Sequence, residues 1–151
     1  MKSIIQLLNP LLTTAWAGAL WAVGYLAVPV LFFSQPDRQL AGMLAGKMFT
    51  LVFYTGTACG IWLLASPLLT SGKSAFRSVA FWITAAMLLL TLVILCGIQP
   101  VMNDLKAQAL PLDVMHSPFA GRFDTLHHVS STLYSIISLL AVVLVIKTRR
   151  A

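Results

Sequence analysis

The 151-residue chain contains no glutamate and only four aspartates, and charged residues make up 9% of it. Soluble domains carry roughly 25% charged residues, whereas 59% of this chain is hydrophobic. These proportions exclude a soluble enzyme and a disordered chain. The net charge of +6 reflects scarce acids as much as plentiful bases, so it does not indicate a nucleic-acid partner.

Cysteine is also scarce, since Cys59 and Cys96 are the only two and each lies inside an apolar run. They provide neither a disulfide framework nor a CxxC redox pair, which excludes a thiol-oxidising quinone reductase. The apolar runs contain no acid, whereas a small multidrug exporter needs a carboxylate within the membrane. A two-haem cytochrome would need two facing pairs of histidines, and the chain has three histidines in all.

Long hydrophobic runs dominate the sequence. A helix needs about 20 apolar residues to cross a hydrocarbon core about 30 Å thick. Four segments meet this need, and we expect helices at about 11–33, 48–69, 79–98 and 125–146. No alternation with a period of two is present, so helices are expected rather than a barrel. The predicted fold is an all-α integral membrane protein, an antiparallel four-transmembrane-helix bundle with residues 1–151 as one domain in the lipid bilayer.

The first run resembles a secretory signal, because Lys2 precedes it and Ala15-Trp16-Ala17 offers small residues for cleavage. The run continues to Phe33, however, and a proline favours the first turn of a helix. We therefore expect an uncleaved transmembrane helix that begins near Pro10.

Basic residues are distributed unevenly between the two sides of the predicted bundle. Four helices place both termini on one side, and Lys and Arg are retained on the cytoplasmic side. The side with the termini holds six bases and no acid: Lys2, Lys73, Arg77, Lys147, Arg149 and Arg150. The opposite side balances four bases with four acids: Arg38, Lys47, Lys106, Arg122, Asp37, Asp104, Asp113 and Asp124. Both termini are therefore expected in the cytoplasm.

The predicted outer loop, 99–124, is long for a helical bundle, and such length indicates a function or a surface helix. We expect Pro100 to end the third transmembrane helix. Residues 101–109 have the spacing of a short amphipathic helix. Pro111 and Pro118 should then break it.

Polar residues recur at helical spacing in the second and fourth helices. Lys47, Thr50 and Tyr54 follow steps of three and four, and His127 and Ser131 are four apart, so each set shares one helix face. Ionisable groups in or near a membrane are functional-site candidates. We predict a binding site in the outer half of the bundle that faces its interior. Its proposed members are Tyr25, Lys47, Thr50, Tyr54, Arg122, His127 and Ser131.

Ordinary packing is the alternative explanation for these faces. Membrane helices associate through small residues and through hydroxyl hydrogen bonds worth about 0.6–2 kcal/mol each. Gly42 and Gly46 match such a small-residue motif, and Thr84 and Thr91, seven residues apart, indicate a packing seam on the third helix. Lys47 has its own alternative, because a lysine near a helix end can extend to water.

His127 and His128 are adjacent, so on a helix their side chains point about 100° apart. They cannot both bind a metal from one face, which leaves a single axial haem ligand or a proton-carrying imidazole. Methionine thioethers and histidine imidazoles could together bind copper, although a methionine in a membrane protein more often only fills gaps in the packing. The weak metal candidates are Met115, His116, His127 and His128, with Met102 nearby.

We assign the functional role to His127 rather than to His128. Ser131, Tyr134 and Ser135 share its face and could orient the imidazole through hydrogen bonds. His128 should lie at the interface near Asp124.

Four short patterns follow one another along the chain. They are Trp21-x-x-Gly24-x-x-x-x-Pro29-x-Leu31-Phe32, Ala41-Gly42-x-x-x-Gly46-x-x-Phe49, Pro100 after the third helix, and Phe123-x-x-x-His127-x-x-Ser130. Together they resemble the small bacterial inner-membrane proteins of domain of unknown function 4149, similar to the eukaryotic transmembrane protein 205 group. The resemblance implies a four-helix inner-membrane protein without established catalytic activity, and a role in metal-drug resistance in the eukaryotic branch.

A more remote similarity of layout connects the chain to copper-resistance protein D and to the haem-dependent, membrane-bound protoporphyrinogen oxidase. The chain lacks the additional intramembrane histidine that haem chemistry would need, and its cysteines do not form the close pair expected for handling a metal drug.

Three function classes remain open, and no catalytic residue is assigned. The first is a binding or transport-associated membrane protein with its site in the outer half of the bundle. The second is a haem- or quinone-linked redox protein that uses His127 as ligand or proton donor. The third is a structural subunit whose polar faces pack against a second copy or a membrane-protein partner.

Overall fold

The computed structural model describes residues 2–110 and 112–148, leaving out the side chains of residues 2, 3 and 6. Three predictions fall outside these residues: Pro111 as a helix breaker, and Arg149 and Arg150 as cytoplasmic anchors.

Four long helices make up nearly all of the described chain, and no strand occurs in those residues. We label them α1 to α4. Helix α1 comprises Lys2–Ala22, a π turn at Val23–Ala27, and Val28–Ser34. Helix α2 is Arg38–Ser71, followed by a 3-10 turn at Gly72–Arg77. Helix α3 comprises Val79–Leu92, a π turn at Val93–Ile98, and Gln99–Ala109. A 3-10 turn at Val114–His116 precedes α4, which is Ala120–Thr148.

All four helices are long and apolar enough to cross a membrane. Each packs against its neighbour in the chain, and α4 closes the ring by packing against α1. The predicted all-α four-helix membrane bundle is confirmed. We call the end with the start of α1, the 72–77 turn and the end of α4 the terminal end. The loop end holds the connections at 35–37 and 110–119.

Close packing of α1 on α2 depends on small residues in α2. Trp16 is 1% exposed, and its indole lies directly against the backbone at Gly56, where a Cβ atom would overlap it. Gly60 also borders this ring, with a built Cβ 3.1 Å from it. Gly56 and Gly60 therefore lie on the interior face of α2.

Two predictions about prolines are wrong. Helix α1 begins at Lys2 and passes through Pro10, and α3 passes through Pro100 to Ala109. In α3 the π turn has already shifted the hydrogen-bond register, because the Gln99 N–H donates to the carbonyl of Ile94, five residues earlier. The missing N–H of Pro100 therefore does not end the helix. Prolines are tolerated in membrane helices when neighbouring groups satisfy the backbone.

The amphipathic helix predicted at 101–109 exists, as a continuation of α3. Leu105 and Ala109 are buried, as their spacing of four predicts. They form a small second core with Val114, against which Phe123 of α4 packs. This core fixes the loop end of α3 against the beginning of α4.

Candidate functional site

The polar side chains of α2 and α4 largely face outward. Tyr54 is 60% exposed, and Lys47, His127 and Ser131 are also exposed. The prediction that these four residues face the bundle interior is therefore wrong.

The hydroxyl groups of α2 explain this outward face. Thr55 donates to the carbonyl of Leu51 at 2.9 Å, and Thr57 donates to the carbonyl of Phe53 at 2.8 Å. A threonine that bonds to its own helix needs no partner on another helix. The interior face of α2 is occupied instead by small residues, which allow the helices to approach closely.

Two of the three hydroxyls expected to orient His127 are engaged elsewhere. Tyr134 donates to the carbonyl of Leu20 at 2.6 Å, and Ser135 donates to the carbonyl of Ser131 at 3.0 Å. The expectation that these hydroxyls orient His127 is wrong. The imidazole instead stacks on Phe123, with ring centroids 6.2 Å apart and planes inclined by 10°.

His128 lies where the sequence placed it. Its Nε2 atom is 3.5 Å from Oδ1 of Asp124, and both side chains are exposed. The two residues therefore lie one helical turn apart and contact each other at the protein surface.

The structure brings a different set of residues together at the loop end. We call it the loop-end cluster, and its members are Gly46, Thr50, Gln99, Lys106, Phe123 and His127. Gln99 and Lys106 lie seven residues apart on α3 and so share one face. Their counterparts on α2, Thr50 and Gly46, lie four residues apart.

Contacts across three helices define the cluster. The Oε1 atom of Gln99 is 3.2 Å from Oγ1 of Thr50. The ammonium of Lys106 lies 5.4 Å from the ring centroid of Phe123. A Cβ atom at Gly46 would lie 3.8 Å from Nζ of Lys106, so the ammonium lies beside the backbone of α2.

Three of the four acids of the loop end have other neighbours, and the fourth, Asp104, is exposed. Asp37 accepts from the backbone N–H groups of Gln39 and Leu40 at 2.9 and 3.1 Å. Asp113 accepts from the N–H of Met115 at 2.7 Å, and Asp124 lies beside a histidine. Among the side chains that the structure describes, no Lys or Arg makes a salt bridge. The half-buried Lys106 ammonium therefore has an aromatic neighbour and makes no ion pair, although Asp113 is near enough for its charge to act on it.

Of the predicted site residues, only Thr50 and His127 belong to this cluster. Tyr25 packs against Tyr134 instead, with ring centroids 6.3 Å apart, and is 52% exposed. Lys47, Tyr54, Ser131 and Arg122 have exposed side chains for which the described structure gives no side-chain hydrogen bond.

The metal-ligand candidates are not gathered into a site. In the described part of the chain, no three His, Cys, Asp or Glu side chains lie close enough to hold a metal ion. Met115 and His116 are exposed on the 3-10 turn, while Met102 packs against the main core. The described His, Cys and Asp side chains therefore do not form a site with three protein ligands.

Sequence reasoning missed two groups of polar residues. Gln99 and Lys106 were not predicted to act together, although they are seven residues apart, because Pro100 was expected to end the helix between them. At the terminal end, Oδ1 of Asn9 accepts from Nε1 of Trp62 at 3.2 Å and from Oγ of Ser66 at 3.0 Å. This network joins α1 to α2, and an asparagine in an apolar run was its only signal.

Four apolar helices and a polar cluster at one end define a small polytopic membrane protein. Residues 11–111 match domain of unknown function 4149. The chain belongs to that family. No curated protein and no solved structure matches it.

The matched range runs from within α1 to just beyond α3. It includes Gly46, Thr50, Gln99 and Lys106, whereas Phe123 and His127 of α4 lie outside it. The similarity to the eukaryotic transmembrane protein 205 group stays a prediction from the sequence patterns.

Proposed function

We propose that this protein is a membrane-embedded binding protein that captures an anionic group, a carboxylate or a phosphate, at the loop-end cluster. The observation that carries the proposal is Lys106, a half-buried ammonium that lies between three helices and makes no salt bridge in the described residues, with Asp113 acting on it only from beyond ion-pair distance. Partly burying a charge is costly unless it is paired. An arriving anion would supply the missing partner.

The surroundings of Lys106 suit such a ligand. An ammonium has three donors, and the face of Phe123 attracts the cation through its ring electrons without using a donor in a hydrogen bond. Gly46 has no side chain to cover Nζ. On α3, Gln99 lies about two turns deeper than Lys106, and on α2, Thr50 lies about one turn deeper than Gly46. Both side chains can position a neutral part of the ligand. His127 provides an imidazole on the α4 side.

The proposal includes a location and an orientation. We place the protein in the bacterial inner membrane, with both termini in the cytoplasm and the loop-end cluster on the periplasmic side. The support is the charge distribution. The described bases of the terminal end are Lys73, Arg77 and Lys147, and no aspartate lies at that end.

A reporter that is active only in the periplasm tests the orientation. Fused after Ala151 it should remain silent, and inserted after Leu112, in the loop-end connection, it should be active, because basic ends are retained in the cytoplasm. Comparable protein levels for the two fusions are the control. Activity of the C-terminal fusion would refute the proposed topology.

The binding proposal is tested by changing Lys106 to methionine, which keeps the apolar stem and removes the charge. Hydrogen bonds to charged groups contribute about 1.5–3 kcal/mol, so the affinity for inorganic phosphate or acetate should fall by about 10- to 100-fold. The measurement is the increase in Tm of detergent-purified protein with phosphate or acetate concentration.

Lys47→Met is the matched control, because Lys47 is an exposed lysine of the same end and lies outside the cluster. It should retain the wild-type response. An equal loss in both variants, or no saturable stabilisation of the wild-type protein by either anion, would contradict the proposed site.

A structural role in a membrane complex is the second candidate. It is favoured by the exposed hydroxyls of Tyr25, Tyr54 and Ser131, since polar side chains in membrane helices commonly bond to other helices. Cross-linking in native membranes followed by mild-detergent purification would show whether a second copy or another protein covers them. No contact in the described residues favours a haem- or quinone-linked role.

A further inference from the structure

The terminal end of the bundle has a groove that the proposed function does not use. It lies between α1 and α4 and has a volume of about 320 Å³. Its lining residues are Pro10, Thr13, Thr14, Val145 and Thr148. Ligand pockets in proteins begin at roughly 300 Å³, so the groove can hold part of a lipid-sized molecule.

The lining combines apolar surface with hydroxyl groups. Thr13 donates to the carbonyl of Asn9 and Thr148 to the carbonyl of Leu144, each at 2.8 Å. Their oxygens keep lone pairs that can still accept. Thr14 is exposed and its hydroxyl remains available as a donor. Pro10 and Val145 supply the apolar surface.

The charge around the groove has one sign. Lys147 directly precedes Thr148 and is exposed. Lys73 and Arg77 belong to the same end of the bundle but to the turn between α2 and α3, and neither lines the groove. All four aspartates of the chain lie at the other end. Basic residues next to a membrane attract anionic lipids by about 1 kcal/mol each.

We propose that this groove binds one anionic phospholipid. The headgroup phosphate lies at the level of Lys147 and Thr148 and accepts a hydrogen bond from Thr14. The upper part of one acyl chain lies over Pro10 and Val145. The site is separate from the loop-end cluster, so each proposal can fail without the other.

The experiment measures lipid retained by the full chain. Protein is reconstituted in vesicles of equal parts phosphatidylglycerol and phosphatidylcholine with identical acyl chains, then extracted in mild detergent and examined by native mass spectrometry. Wild-type protein should retain at least fivefold more phosphatidylglycerol than phosphatidylcholine. Equal retention of the two lipids would overturn the proposal.

Two variants fill the groove. Thr14→Phe does so from α1 and Val145→Phe from α4, and each should lower the retained phosphatidylglycerol at least fivefold. Thr55→Phe is the matched control, because Thr55, like Thr14, is an exposed threonine of a long helix, but it lies on α2 and does not line the groove. If the folded groove variants retain as much lipid as Thr55→Phe, the site does not exist.

Charge is tested separately with Lys147→Gln against Lys73→Gln. The first should remove the preference for phosphatidylglycerol and leave the retention of phosphatidylcholine unchanged. The second should leave the preference intact. An equal effect of both variants would overturn the proposal in favour of a general attraction to the basic end.

Discussion

Replacing Gly56 with alanine should lower the free energy of unfolding by about 1–3 kcal/mol, the usual cost of adding a methyl group to a filled core. The added Cβ would overlap the indole of Trp16, which is 1% exposed and has no free space to move into. The loss should exceed the gain of up to about 1 kcal/mol that alanine has over glycine in a helix. Unfolding in mixed micelles with increasing SDS measures the difference.

A compensating change in the partner makes this prediction specific. Trp16→Phe removes the indole nitrogen, one of the ring atoms nearest to the new methyl group, and so should relieve the overlap. The double variant should be more stable than the sum of the two single changes predicts, by about 0.5–3 kcal/mol of coupling. Strict additivity would show that the indole does not pack on Gly56.

Replacing Gly24 with alanine should have an effect of similar size, because the ring of Tyr134 occupies the position of a Cβ atom, with its Oη only 2.7 Å away. The ring is held by the hydrogen bond from Tyr134 to Leu20. It also packs edge-on against Phe49, with centroids 5.1 Å apart. Moving it would disturb both contacts, so we expect a loss of about 1–3 kcal/mol in the same micelle assay.

Two variants serve as controls for Gly24→Ala. Gly18 lies in the same helix with no atom within 4 Å of a built Cβ, so Gly18→Ala should be neutral or slightly stabilising. Tyr134→Phe removes only the hydrogen bond and should cost about 0.5–1.5 kcal/mol. If Gly18→Ala is as harmful as Gly24→Ala, the close approach of the ring is not the cause.

The helices could be predicted because lipid imposes a simple length requirement on apolar runs. The pairing of His128 with Asp124 and the burial of Thr84, Thr91 and Leu105 also followed from spacing of four or seven along a helix. These features depend on a single regular helix, whose geometry the sequence encodes directly.

The site could be predicted only in part, since it depends on what each polar group bonds to. Thr50 and Tyr54 share a stripe in the sequence, yet the threonine donates to its own helix and the tyrosine points outward. A proline such as Pro100 looks the same in a sequence whether it ends a helix or, as here, follows a π turn and lies within a helix that continues. Of the loop-end cluster, sequence spacing therefore pointed to Thr50 and His127 and missed Gln99 and Lys106.

The two π turns determine which way α1 and α3 face beyond them, because a π turn holds one more residue than the same length of α-helix. Each is followed two positions later by a proline, Pro29 in α1 and Pro100 in α3. Straightening 93–98 into a regular α-helix without removing a residue would rotate everything beyond it by about 100°. Gln99 and Lys106 would then leave α2, although neither had been altered. A related chain that is one residue shorter in this stretch and has no π turn would instead present the same side chains at the loop end, and only an alignment with a one-residue gap there would show the correspondence.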